Sequence, residues 1–229
     1  MTLGSVRAAF YSVPPDRLDA FARHFEQGYL QPEGKKLGAA ASQFFMATPD
    51  LLAERRTVAE DVLADRGGQM VAFHFFATSP RIARPQLPLT ADLAGMRKLL
   101  SWTLTYDRGW VHGGATLERA EIPANAYKGI FLALAEIIDP VRAGFTTTWY
   151  VDKHMPELME TFGFAQALRF TGKTPSGRPT FLHIFFLDQE PGEAVADLRR
   201  RGPAWRIEEA EIRIEEQRRM LINSFYRSP

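Results

Sequence analysis

The sequence contains no cysteine, and this single absence excludes disulfides, thiolate zinc sites, iron–sulfur clusters and a cysteine nucleophile. A cytoplasmic location is the expectation that fits it. A charge excess of either sign is also missing. The 28 basic and 27 acidic side chains leave a formal charge of +1, far from the basic surface that counterion release on a phosphate backbone requires. Nucleic acid is therefore not an expected partner. No apolar run approaches the roughly 18 residues of a membrane helix, and Met1 to Arg7 lack the charged-then-apolar order of an export signal. No membrane partner is expected either. A dinucleotide-binding G-x-G-x-x-G after a strand is absent, as is a phosphate-binding P-loop.

What is present is ample material for a core: 45% of the 229 residues are hydrophobic, 17 of them phenylalanine. Val6 to Val13 reads as a strand, followed by a helix carrying Leu18, Phe21, Phe25 and Tyr29 at helical spacing. Further strands are expected at Ala40 to Met46 and Met70 to Thr78, with an inserted helix at Asp50 to Asp65 between them. Thr90 can cap a helix bearing Leu93, Met96, Leu99 and Leu100, and Thr116 to Ile122 is read as the closing strand. The second half repeats the order. It has strands at Gly129 to Ile138, Phe164 to Gly172 and Thr180 to Leu187, helices at Thr147 to Glu160 and Gly192 to Arg201, and a strand at Ile207 to Ile214. Gln217 to Pro229 is read as a tail, with a strand or an arm on a neighbour left open. The expected architecture is α+β: two tandem ferredoxin-like βαββαβ modules, residues 1–123 with the helical insertion and residues 124–229, packed sheet to sheet. Val71-Ala72-Phe73-His74-Phe75-Phe76 and Phe181-Leu182-His183-Ile184-Phe185-Phe186 echo each other. In the best gapless match His74 meets Ile184, which would put the two histidines on opposite sheet faces.

The most informative stretch is Trp149-Tyr150-Val151-Asp152-Lys153-His154-Met155-Pro156-Glu157, followed by Phe162-Gly163-Phe164 and the strand Ala165 to Phe170. Tyr150 and His154 are four residues apart and share a helix face, with Trp149 turned about 100° away from Tyr150. This string resembles the EthD-like group of the dimeric α+β barrel superfamily, whose members often show W-Y-x-x-x-H-x-P-E entering G-F-x-x-A-x-R-F. The resemblance covers about residues 128–216. It implies a barrel formed by two modules meeting face to face, here in one chain, with a homodimer of such chains left open. It also implies an enzyme without bound cofactor, of dehydratase, cyclase, isomerase, oxygenase or lyase type, in aromatic-compound metabolism.

On that reading His154 is the catalytic acid/base and Tyr150 its catalytic neighbour, acting on a small hydrophobic, aromatic or polyketide-like molecule held in the barrel mouth. Candidate substrate-binding residues are Trp149, Arg169, His183, His74, Trp110 and Tyr106. Arg169 has a fork of donors suited to a carboxylate or phenolate. Trp110 and Tyr106 lie in the segment Trp102 to Gly114, which reads as a loop serving as a lid or as a seal on the barrel. His74, His154 and His183 have no metal-binding spacing, and neither a metal nor another cofactor is expected. Two alternatives stay open: a haem-binding or haem-degrading protein with a histidine on the iron, and a protein that only holds a small molecule.

Overall fold

The computed structural model describes residues 1–55, 63, 68–78, 93–123, 127–161, 163–174, 177–211 and 213–229. Among these, nine strands form one antiparallel sheet. The first half supplies β1 (Ser5–Ser12), β2 (Ala41–Met46), β3 (Met70–Phe76), β4 (Arg97–Val111) and the short β5 (Thr116–Leu117). The second supplies β6 (Gly129–Ile137), β7 (Phe164–Lys173), β8 (Pro179–Leu187) and β9 (Arg218–Arg227). Their order is β1-β3-β2-β9-β6-β8-β7-β4-β5, and β4 also pairs with β1, so every strand but β5 belongs to a closed ring. Each half contributes four neighbouring strands in the same arrangement, β4-β1-β3-β2 and β9-β6-β8-β7. The seams are unequal: β4 and β7 share a ladder from Thr105–Thr171 to Val111–Gln166, whereas β2 meets β9 only at Met46–Arg227.

Period-2 alternation gives the sheet an inner and an outer face. Val6, Ala8 and Phe10 of β1 and Val71, Phe73 and Phe75 of β3 join the core shared by the two halves, where Phe45 meets Phe186 with ring centroids 6.5 Å apart. Ala9, Tyr11, Met70 and Ala72 point the other way, against Leu18, Phe21 and Phe25. A ring of eight strands encloses little more than the volume of its own side chains. Here phenylalanines take up that space.

On the outer face lie α1 (Leu18–Phe25) and α2 (Gln31–Leu37), joined through a π turn at Glu26–Leu30. In the second half α4 (Ala143–Trp149) and α5 (Met155–Thr161) are joined in the same way by a π turn at Tyr150–His154. Both turns precede a proline by two residues, Pro32 and Pro156. A proline inside an α-helix has no N–H to donate, and its ring collides with the carbonyl four residues earlier. Widening the preceding turn relieves this: Gln31 N–H bonds Glu26 O and Met155 N–H bonds Tyr150 O, each spanning five residues. Among the described residues the other α-helices are α3 (Pro49–Ala53), α6 (Pro191–Glu211) and α7 (Ile214–Gln217), and a 3-10 turn at Pro15–Arg17 precedes α1.

Several expectations are corrected. Leu99 and Leu100 lie in β4, not in a helix, and the Trp102 to Gly114 segment is mostly the same long strand. Its Trp-Thr-Leu-Thr-Tyr run alternates buried Trp102 and Leu104 with exposed Thr103 and Thr105. The strand expected over Thr116 to Ile122 shrinks to Thr116–Leu117 and a bridge from Thr2 to Glu121, because β4 already occupies the edge of β1. Ile207 to Glu211 continues α6, as its alanine and glutamates favour, and Arg213, with φ 51°, breaks the run before α7. The closing strand of the second half is the presumed tail: β9 pairs with β6 from Gly129–Arg227 to Ile137–Arg218. The inserted helix appears as α3; its expected continuation over 56–62 and 64–65 lies outside the described residues, as does the start of the expected Thr90 helix. Among the described residues, no helix is long and apolar enough to cross a membrane.

Because β9 covers β6 and touches β2, deleting residues 218–229 should abolish the cooperative thermal transition, as followed by near-UV circular dichroism. A dispensable tail would leave the melt unchanged.

Candidate functional site

The outer face of each half carries a polar cluster beneath its π-turn helix. In the first half His74 of β3 stands opposite Ser42 of β2 and Arg7 of β1. Its Nδ1 is 2.8 Å from Ser42 Oγ and its Nε2 is 3.2 Å from Glu33 Oε2 on α2. Lys98 Nζ, from the start of β4, lies 3.6 Å from Glu33 Oε1. Glu33 and His74 are fully buried. Burial alone would raise the Glu33 carboxyl, but the His74 hydrogen bond and the Lys98 charge hold it below its usual range. Burial pulls Lys98 down against the opposing pull of Glu33. Burial and then the Glu33 charge push Tyr29 up to about 12. Helix and sheet approach closely here because position 34 is glycine: a Cβ on Gly34 would fall 2.1 Å from Ser42 Oγ.

In the second half His183 of β8 stands opposite Arg169 of β7 and Ala133 of β6. Relative to the strand order, this is the place that His74 occupies between Ser42 and Arg7. Both histidines thus face their helices, which corrects the gapless echo. Arg169 Nη1 donates to His183 Nε2 at 3.3 Å, so the neutral ring carries its proton on Nδ1. Arg169 Nε in turn lies 2.9 Å from Asp107 Oδ2 on β4, an ion pair that reaches across the seam between the halves. Burial first, and then the charges of Arg169 and Arg218, push His183 well below its usual range. Burial likewise lowers Arg169, with Asp107 opposing. The Arg169 guanidinium also sits 4.9 Å over the Phe181 ring.

Tyr150 stacks on His183 (4.9 Å, 15°) and meets His154 at 4.9 Å, while Trp149 stacks on His154 (4.8 Å, 17°). The π turn produces the last contact. Residues five apart diverge around an α-helix, but a turn closed over five residues brings them together. Trp149 is therefore not turned away from the Tyr150–His154 face. Next to these rings, between the outer face of the sheet and helices α5 and α6, lies a cleft of about 270 Å³. Tyr150, His154 and Arg218 line it together with Phe131, Leu158, Leu198, Met220, Asn223 and Phe225, among others, and the Glu54–Arg199 ion pair stands at its side. This cleft lies on the outer face of the sheet, outside the barrel and not in its mouth.

Of the residues selected from sequence, Tyr150, His154, Trp149, His183 and Arg169 come together here. The other three do not. His74 is held by Ser42 and Glu33 in the first-half cluster, Trp110 is fully buried in the core, and the Tyr106 hydroxyl donates to Leu117 O at 2.8 Å. Glu33, Ser42, Lys98 and Arg218 were missed. The repeated Pro-Glu of Gln31-Pro32-Glu33 and Met155-Pro156-Glu157 was the signal that could have led to Glu33. Among the described residues no three His, Cys, Asp or Glu side chains cluster as metal ligands.

Two outcomes follow from these clusters. Gly34→Ala should cost about 1–3 kcal/mol by overpacking, a fall in Tm of about 3–10 °C measurable by calorimetry. His183 has a folded-state pKa below its unfolded value, so the stability it contributes is present above about pH 6.5 and is lost as pH falls toward the folded value. Tm should therefore drop on acidification below about pH 6.5, and His183→Gln should flatten that slope in a series of melts.

No protein-family model matches the chain, and no curated protein matches it. Solved structures do. An anthrone oxidase-like protein aligns at TM-score 0.53 and 12% identity over 100% of this chain and 91% of its own. A candidate chlorite dismutase aligns at TM-score 0.56 and 10% identity over 100% of this chain and 96% of its own. A DypB variant from Rhodococcus jostii RHA1 in complex with heme aligns at 0.52 and 10%, over 100% and 94%. At these identities the likeness concerns the fold alone, an α+β arrangement of one large antiparallel sheet with helices on its outer face.

Proposed function

We propose that the chain is an enzyme that works without a bound cofactor on a small hydrophobic molecule, aromatic or polyketide-like, using His154 as acid/base and Tyr150 as its partner. The observation that carries this reading is the cleft: a largely apolar space of about 270 Å³ whose wall holds an imidazole clamped between Trp149 and Tyr150. Ring contacts of this kind contribute about 0.5–1.5 kcal/mol each, and they hold the imidazole in place toward a bound molecule. Proton transfer by a positioned histidine then requires only that the substrate present a carbon or oxygen acid at its edge. The chain itself is read as two ferredoxin-like modules in tandem, residues 1–123 and 124–229. The matching strand orders and the paired π-turn helices support that division.

The second reading is a haem site in the same cleft, with His154 as the axial ligand; the DypB variant of similar fold is in complex with heme. A Soret band on haem titration would support it, and no spectral change at micromolar haem would remove it.

The test is turnover in a screen of phenolic and polycyclic aromatic compounds, with product detected by mass spectrometry. His154→Ala should lower kcat by about 10²–10⁴-fold while ligand affinity and a cooperative melt are retained. Unchanged turnover would remove His154 from the chemistry. Saturable binding without any product would favour a protein that only holds its ligand.

A further inference from the structure

Strand register sets one row of side chains across the outer face of the second half. Arg169 of β7, His183 of β8, Ala133 of β6 and Asn223 of β9 are paired in turn, about 4.8 Å apart from strand to strand. The first half repeats the row as Ser42, His74, Arg7 and Thr103. The third place differs in size. Arg7 reaches β4, where its Nε donates to Ser101 Oγ at 3.1 Å, whereas Ala133 presents a methyl group and forms part of the cleft wall. A methyl at this place leaves the cleft open down to the sheet. Asn223 stands beside that methyl, on the same floor as Phe131, Met220 and Phe225. Other polar groups around the cleft are engaged by the chain: His154 lies between Trp149 and Tyr150, the Arg218 guanidinium lies 5.1 Å over the Tyr150 ring, and Glu54 pairs with Arg199. The Asn223 side chain, only partly exposed, makes no hydrogen bond to any described residue. Asparagine is disfavoured in strands, and an amide covered by a purely hydrocarbon ligand would lose its water without replacement. A ligand with an oxygen over Ala133 removes that cost.

We infer that Asn223 is a specificity-determining residue of the cleft, and that the ligand is an aromatic molecule carrying a hydroxyl or carbonyl oxygen, which lies over Ala133 and hydrogen-bonds the Asn223 amide. The inference rests on the reading of the cleft as a small-molecule site and adds the polar group by which that molecule is recognised. A primary amide offers two N–H donors and a carbonyl acceptor. A phenol can therefore accept from Nδ2 or donate to Oδ1, and a ketone or quinone accepts from Nδ2. The apolar body of the ligand lies against Phe131, Met220 and Phe225, with His154 beside it. A hydrocarbon of the same shape gains the burial but leaves the amide unpaired.

The experiment is an NMR titration of the protein with p-cresol and p-xylene, two neutral probes that differ by a hydroxyl in place of a methyl group. A cleft without a partner for the hydroxyl prefers p-xylene, because burying the hydroxyl costs its hydration. The wild-type protein should instead bind p-cresol more tightly, and the Asn223 side-chain amide resonances should move with p-cresol but not with p-xylene. Asn223→Leu, similar in size, should shift the ratio of the two affinities about tenfold toward p-xylene, the scale of one net hydrogen bond. Ala133→Leu fills the floor and should weaken both probes. A wild-type preference for p-xylene, a ratio unchanged in Asn223→Leu, or Asn223 resonances unmoved by p-cresol would each overturn the role of Asn223 while leaving the cleft a small-molecule site. No saturable binding of either probe would overturn both readings together, so the two failures are distinguishable.

Discussion

Closure of the barrel within one chain is the constraint on which everything else depends. An antiparallel sheet with helices on one face must bury its other face, and here each half's four strands cover the other half's. The β4–β7 ladder and the contact of β2 with β9 make a ring with phenylalanine at its centre. Since eight strands leave room for little but side chains, the interior is filled. The cleft lies outside, under the helices. The Asp107–Arg169 ion pair crosses the β4–β7 seam, so the first half helps to build the second half's site.

Proline shapes that outer layer. Pro32 and Pro156 each force the preceding helical turn to widen, and in the second half the widened turn delivers Trp149, Tyr150 and His154 as a packed group of three rings. The same device in the first half is followed directly by Glu33, whose carboxylate reaches His74 and Lys98. One half thus closes its polar cluster with its own carboxylate. The other stacks Tyr150 on a histidine that burial keeps neutral and holds Arg169 against Asp107.

Much of this was legible in the sequence where a pattern is local. The strands β1, β2, β3, β6, β7 and β8 follow from alternation and β-branched or aromatic content, and Tyr150 with His154 follows from helical spacing. Legibility failed where neighbours decide. The segment holding Trp110 and Tyr106 looked like a functional loop because of its composition, but its place is set by pairing with β1 and β7. Arg218 to Arg227 looked like a tail because its strand character is weak until β6 supplies a ladder.

The sequence by itself determined the α+β class, the absence of thiol chemistry and the helical segment that carries Tyr150 and His154. These depend on periodicity, composition and proline, which act within a few residues. The tertiary structure alone decided which face each histidine presents, that His74 is taken up by Glu33 while His183 is held by Arg169, and that the cleft lies outside the barrel. Those outcomes depend on strand register and on residues more than forty positions apart, such as Asp107 and Arg169, or Lys98 and Glu33. A one-residue change of register would reverse every face, and no local pattern specifies it.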